Sequence, residues 1–337
     1  MPAKHDASSQ TRYQELKQLA RTQPRVLPGT PGTLKQRRRR DTDYWVREYI
    51  RVDGRKDDEH IGTVAAVDAK RVKEWRDEIE LARGLAGGSS KLRLLGYQRI
   101  ERKPAAVLGA VFNRGLFEAG LVLTGAHAYG ALLNDLGIMA AAYRTQDIDL
   151  ARAQPLEVAI GFAELLEESG LEFVPVPGLP SRRPSTSYKV PGRDALAIDL
   201  LVPGAVAGEA ARVEELRTYA QTIPLLDFLV DGALDSVVLS PNQVVPVKLP
   251  AAERFALHKL FSSQRRGSQR DKARKDLEQA AVLVAVLEEE TPGLLDDAAK
   301  DIPRRARTIV TRGARAALNI AGDHAEAQVF LRKLAGR

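Results

Sequence analysis

Cysteine is absent from this chain of 337 residues. That absence removes disulfides, thiolate metal sites and cysteine nucleophiles together. Aromatic residues make up only 5% of the sequence, so aliphatic side chains must fill most of any core. No apolar run approaches the ~18 residues that cross a bilayer. The N-terminus is polar and mixed in charge, without the apolar stretch of a secretory signal. These omissions lead us to expect a soluble, cytoplasmic protein with no membrane partner.

Hydrophobic residues at 44% are ample for a globular interior. The length exceeds what one core usually serves, so two or three units are expected. The formal charge is +7, and it is unevenly spread. Lys35 to Lys56 holds nine Lys or Arg against four Asp or Glu. A second basic cluster runs through Arg265, Arg266, Arg270, Lys272, Arg274 and Lys275, and a third through Arg304, Arg305, Arg307, Arg312 and Arg315. Any one cluster reads as a solvated helix face. Three in one chain favour a polyanionic partner, because binding one releases condensed counterions.

Periodicity divides the chain. Residues 9–23 have the spacing of a short amphipathic helix, followed by a Pro/Gly linker. Tyr44 to Val52 is rich in β-formers, and Asp53-Gly54 predicts a hairpin returning to about Gly62. Val72, Trp75, Ile79 and Ala82 form one helical stripe, expected to stop at Gly87-Gly88, with a further helix over 92–118 disturbed near Pro104. From Gly120 short apolar strands alternate with helices, including a helix opening at Pro155 and closing at Gly170, the pattern of an α/β sheet domain. Strands are expected at 121–123, 146–151, 171–176, 185–190, 195–202, 236–239 and 244–249. Helices follow at 250–264 and 271–289, then in pieces to the end. The expected organisation is an N-terminal helix and linker (1–34), a basic hairpin plus helix (35–91), a sheet domain (92–249) and a helical C-terminal domain (250–337).

The chemistry centres on Gln146-Asp147-Ile148-Asp149-Leu150. On a strand, side chains two apart share a face, so Asp147 and Asp149 stand together while Ile148 and Leu150 face the core. Two such carboxylates repel by about 4 kcal/mol at an effective dielectric of about 20. The pair therefore calls for a hard cation, Mg²⁺ above all. Asp199 is the sole charge in Ala195-Leu196-Ala197-Ile198-Asp199-Leu200-Leu201-Val202. A carboxylate in a buried strand must be hydrogen-bonded, paired or metal-bound. Three acids on neighbouring strands can hold two ions about 3.5–4 Å apart, the arrangement for in-line nucleotidyl transfer. Upstream, Leu121-Val122-Leu123-Thr124-Gly125-Ala126-His127-Ala128 runs from strand through Gly into helix. Such a turn aims backbone N–H groups at an anion, here a triphosphate.

A strand–Gly–helix, an Asp-x-Asp strand and a later single-Asp strand resemble the nucleotidyltransferase superfamily that shares the DNA polymerase β palm. The resemblance implies an α/β (α+β) palm with a mixed sheet, a helical C-terminal domain and a small N-terminal β-hairpin unit. It implies two Mg²⁺ ions on Asp147, Asp149 and Asp199, and NTP as substrate. Arg144-Thr145-Gln146-Asp147-Ile148-Asp149-Leu150 is similar to the version found in abortive-infection-type nucleotidyltransferase toxins. Those proteins also carry a helical Lys and a basic stretch leading into Arg/Lys-Asp-Leu, matched here by Lys259, Arg265-Arg266 and Arg274-Lys275-Asp276-Leu277. By that resemblance Thr124, Gly125, Ala126, Arg144, Thr145, Lys259 and Asp276 line the nucleotide, with Lys259 on phosphate and Asp276 orienting it. The chain as a whole resembles a bacterial nucleotidyltransferase-fold family with an N-terminal Tyr-Trp hairpin. Two departures stand out: Ala126 replaces the second Gly or Ser of the turn, and the stretch from Gly125 to Asp147 is long.

The hairpin, with Arg37, Arg38, Arg39, Arg40, Trp45 and Arg47, is similar to the three-stranded arm-binding domains of phage-type integrases. Together with Arg265 and Arg266 it is the expected nucleic-acid-binding surface, the alternative being that Tyr44, Trp45 and Tyr49 pack on the helix containing Trp75. The favoured reading is NMP transfer from an NTP to an acceptor hydroxyl on RNA, tRNA included, with a toxin or defence role and an antitoxin partner. An inactive nucleic-acid-binding descendant and an adenylyltransferase acting on a protein or small molecule are the alternatives. His127 and His258 read as structural. No Arg/His/Tyr set supports a tyrosine recombinase.

Overall fold

The computed structural model describes residues 3–141, 145–178, 180, 183–192, 196–322 and 324–336. A two-residue strand β1 (Ala3–Lys4) precedes helix α1 (Ala7–Arg21), whose first turn is capped by the Asp6 side chain accepting from Ser9 N. Tyr13, Leu16 and Ala20 form its buried stripe. Strands β2 (Thr33–Arg39), β3 (Thr42–Ile50) and β4 (Lys56–Thr63) make a three-stranded antiparallel sheet in that order. The expected hairpin thus gains a third strand, built from the arginine run itself.

Helix α2 (Ala69–Leu94) does not stop at Gly87-Gly88. A Cβ on Gly88 would meet Leu16 Cδ1 at 2.6 Å, so the glycine lets α1 lie close against α2. That packing outweighs the roughly 1 kcal/mol a helical glycine forfeits. Helix α3 (Arg102–Asn113) is separate and carries Pro104 in its first turn, where a missing N–H is tolerated.

The central unit comprises β5 (Leu121–Thr124), α4 (Gly125–Asp135), β6 (Ile138–Met139), β7 (Asp147–Arg152), α5 (Phe162–Glu167), β8 (Val174–Pro175), β9 (Ser187–Lys189), β10 (Ala197–Pro203), β11 (Ala210–Val213) and β12 (Thr218–Ile223). Its seven-stranded mixed sheet has the order β11-β12-β10-β7-β5, with β9 on β10 and β8 on β9. β7 and β12 flank β10 in parallel, while β5 joins β7 antiparallel. Helix α5 is shorter than the 155–169 expectation. Leu156 N donates to the Glu215 carboxylate, Ile160 N to the Glu215 carbonyl and Phe162 N to the Leu216 carbonyl, so this backbone is bound to a neighbouring segment and not to its own helix.

A short helix α6 (Leu226–Val230) leads to the hairpin β13 (Leu234–Leu239) and β14 (Val244–Leu249). The C-terminal helices are α7 (Ala252–Ser263), α8 (Arg270–Glu290), α9 (Leu294–Lys300), α10 (Arg304–Leu318) and α11 (Ala325–Leu334). One hydrophobic core runs from the sheet through all of these helices. A Cβ on Gly313 of α10 would lie 2.2 Å from the Leu260 carbonyl, so this glycine permits the tight crossing that seats α7. Among the described residues no helix is long and apolar enough to cross a membrane.

Candidate active site

Alternation along β7 works as the sequence requires. Ile148 and Leu150 are fully buried, leaving Asp147 and Asp149 on the opposite face. On β10, Ile198 and Leu200 are buried in the same way and Asp199 turns to the acid face. The parallel register pairs Asp199 with Asp149 and Ala197 with Asp147. Adjacent strands lie about 4.8 Å apart, so three carboxylates distant in the chain share one patch. On the other side of β7, Thr124 is the register partner of Asp149, and its hydroxyl donates to the Asp149 carbonyl at 3.2 Å.

Gly125 follows at once, with φ at +69°. A Cβ there would lie 1.8 Å from Asp149 Oδ2. Glycine is therefore required twice, for the left-handed backbone and for the space its missing side chain leaves to the carboxylate. The helix that begins here directs its first N–H groups and positive end toward the acids. Ala126 occupies the next position and Thr145 stands just before β7 with its hydroxyl accepting from Asp147 N at 3.1 Å. Arg144 lies outside the described residues.

Burial and repulsion between carboxylates govern the electrostatics of the cluster. Burial first, and the Asp199 carboxylate second, push Asp149 up to about 6, against the pull of Lys259. Asp199 is raised by burial and by Asp147, while a hydrogen bond from the Ser187 hydroxyl on β9 and the charge of Lys272 work the other way. Among the described residues no Lys or Arg forms an ion pair with Asp147, Asp149 or Asp199. As the side chains stand, no three acidic or histidine groups among the described residues close around one ion-sized point. Asp149 rests against Gly125 and Asp199 is held by Ser187. The donor set (three hard carboxylates, mutually repelling and without an ion pair among the described residues) suits a divalent oxygen-seeking cation.

Facing the acids is a basic wall from α7 and α8. Lys259 is 9% exposed, so it is no solvated helix face. Its Nζ donates to Asp276 Oδ1 at 2.7 Å, while Arg266 Nε and Ser262 Oγ donate to Asp276 Oδ2 at 2.7 and 3.0 Å. Burial alone would raise the Asp276 carboxyl, but Lys259 and Arg266 hold it below its ordinary value. Lys272 acts on Asp199, and Lys275 on both Asp149 and His127. Burial and the like charge of Lys259 depress the Lys275 ammonium. Lys272, Lys275 and Ser187 were not singled out as site residues from the sequence; the first two are one turn apart on α8, a spacing that would have put them on one face. Arg265 lies beside Arg266 in the turn between α7 and α8.

His127 and His258 are buried, and burial lowers both to about 4, as structural neutral imidazoles. One expected nucleic-acid contact, Arg47, is corrected. Arg47 is fully buried, its guanidinium bonded to Glu59 and to the Pro28, Thr30 and Pro31 carbonyls. Trp45 is on the sheet face turned to α2, with the Arg76 guanidinium 5.9 Å from its ring centroid. The alternation of β3 puts both residues on this inner face. Arg37, Arg38, Arg39 and Arg40 are exposed.

A cavity of about 620 Å³ is elsewhere. It opens where β5 begins and β7 ends, lined by Gly120 and Ala153, whereas the acids are at the opposite ends of those strands. Its Arg254 is tied to Asp231 and Asp301. This cavity is separate from the charged cleft.

A mixed sheet with an Asp-x-Asp strand beside a third acidic strand, roofed by a basic helix, is the architecture of an enzyme that transfers nucleotides. A family model described as nucleotidyltransferase matches residues 102–303, more than half of the chain, and the chain belongs to this nucleotidyltransferase family. Neither a curated protein nor a solved structure matches it.

Proposed function

We propose that the protein moves a nucleoside monophosphate from an NTP to a hydroxyl of an RNA acceptor, tRNA being the first candidate, in the cleft between β7, β10 and α8. The observation that carries this reading is the register setting Asp199 directly across from Asp149, beside Gly125. Asp147, Asp149 and Asp199 would hold two Mg²⁺ ions, which when bound neutralise the carboxylates and polarise the α-phosphate and the attacking hydroxyl. The turn of Thr124, Gly125 and Ala126, with Thr145 before β7, receives the triphosphate, and Arg144, outside the described residues, is proposed to join them on the resemblance alone. Lys259 and Arg266, fixed by Asp276, offset the charge that grows on the departing pyrophosphate. Lys272 and Lys275 extend that positive wall. The acceptor oxygen bonds to the α-phosphorus, the bond to the bridging oxygen breaks, and pyrophosphate leaves with the electron pair. Asp199, held by Ser187, would complete the metal site that activates the acceptor hydroxyl and would take up its proton.

Residues 92–249 are proposed as the catalytic unit, with 250–337 closing over the nucleotide. The proposed setting is the cytoplasm, where NTP and RNA meet. On the resemblance to abortive-infection toxins, the proposal extends to a defence role and a neutralising antitoxin. Incubation with each labelled NTP, Mg²⁺ and total RNA tests the reading. Label should enter RNA with wild-type protein and not with the Asp147→Ala, Asp149→Ala double variant; label that enters only protein, or no polymer at all, would refute the RNA acceptor.

A further inference from the structure

The N-terminal sheet has two unlike faces. A bulge between Trp45 and Val46 shifts the β3–β4 register so that Val46 pairs with His60 and Tyr44 with Thr63. The inner face carries Leu34, Trp45, Arg47 and Glu59 and is occupied by internal contacts. The outer face carries Lys35, Arg37 and Arg39 on β2, Tyr44 on β3, and Asp58 and His60 on β4. Here the Tyr44 and His60 rings are in contact, with centroids 5.0 Å apart and planes tilted by 55°. His60 is exposed and Tyr44 half-buried.

Charge is graded along this face. At one end Lys35 and Arg37 are tied to Glu48 and Asp58 and cancel. At the other, Arg39 and the tip residue Arg40, whose φ is +55°, have no ion pair among the described residues. An open aromatic pair next to unpaired guanidinium groups matches the two parts of a single strand: bases with free π-faces and a phosphate backbone. A duplex hides its base faces and would leave the rings idle.

We propose that the outer face of this sheet is a binding platform for single-stranded RNA, with Tyr44 and His60 stacking on bases and Arg39 and Arg40 contacting phosphates. The choice of RNA rests on the acceptor reading above; the single-strand platform rests on the sheet itself.

Fluorescence anisotropy of a labelled single-stranded RNA oligonucleotide, in EDTA without NTP, tests this directly. Tyr44→Ala with His60→Ala should weaken binding about tenfold or more, since each stacked base contributes about 1–3 kcal/mol. Tyr44→Phe keeps the ring and should retain affinity, which separates stacking from a folding defect. Arg39→Ala should make the salt dependence over about 50–200 mM shallower by about one unit of log-log slope. Unchanged affinity in the double alanine variant, or duplex RNA bound as tightly as single strand, would overturn the proposal. The Asp147→Ala, Asp149→Ala protein should bind the strand normally. A wild-type protein that binds it yet transfers no nucleotide would sink the catalytic reading and spare this one.

Discussion

Replacing Gly125 by alanine probes how closely the turn and the acids fit. The substitution adds one methyl, and the space it needs is held by Asp149 Oδ2 at 1.8 Å. Ordinary carbon–oxygen contact is well beyond 3 Å, so the carboxylate must shift by more than an ångström or the turn must open. The backbone is also at φ +69°, which an L-residue adopts at a penalty of about 1–2 kcal/mol. Both effects act at one point, and an ångström of misplacement at a reacting centre can lower rates by about 10²-fold. Gly125→Ala should therefore unfold with about 1–3 kcal/mol less stability in urea and lose about 100-fold or more in kcat/KM for NTP. Gly84→Ala is the control. It lies in α2 with open space around its Cβ, and should keep activity while gaining up to about 1 kcal/mol. A Gly125→Ala enzyme with wild-type kcat/KM would refute the reasoning.

Other expectations follow from single contacts. Asp276→Ala strands buried Lys259 without its partner and should destabilise by about 3–5 kcal/mol in urea denaturation; Lys259→Met with Asp276→Leu should recover most of that and remain inactive, and recovered activity would contradict the role given to Lys259. His258, lowered to about 4 by burial and by Lys259, binds its proton more readily in the unfolded chain, so its contribution falls as pH drops from about 6.5 to 4 and is level below that. The loss is of order 3 kcal/mol, and His258→Gln should flatten this part of the stability–pH curve measured by urea midpoints. Gly313→Leu should push α10 off the Leu260 carbonyl and lower stability by about 2–4 kcal/mol by calorimetry, an unchanged melting temperature being the contrary result.

The acids were legible because strand alternation is local. Ile148 and Leu150 turn inward, so Asp147 and Asp149 must turn outward, and Asp199 obeys the same rule on β10. The register that brings β10 beside β7 is a tertiary fact, and only the resemblance anticipated it. Lys259 shows the same division: a lysine on α7 reads as solvated until α8 delivers Asp276 to within 2.7 Å. Lys272 and Lys275 stayed hidden because charge on a helix gives no sign of which neighbour it will face. The continuation of α2 through Gly87-Gly88 was invisible for a related reason, since Leu16 in another helix decides it. The inward turn of Arg47 was missed because aromatic and basic residues alternate on both faces of that sheet, and only the linker carbonyls of Pro28, Thr30 and Pro31 choose between them.

The most direct test replaces one acid across the strand gap. Asp199→Asn preserves shape and the Ser187 contact while removing a single negative charge. Transfer from labelled NTP should fall by about 10²-fold or more, with weaker Mg²⁺ dependence and a metal-free urea midpoint that is raised and not lowered, since one of the repelling charges is gone. An Asp199→Asn enzyme that keeps wild-type rates and the same Mg²⁺ requirement would show that the third carboxylate is a bystander and that the shared acid patch is not the site of chemistry.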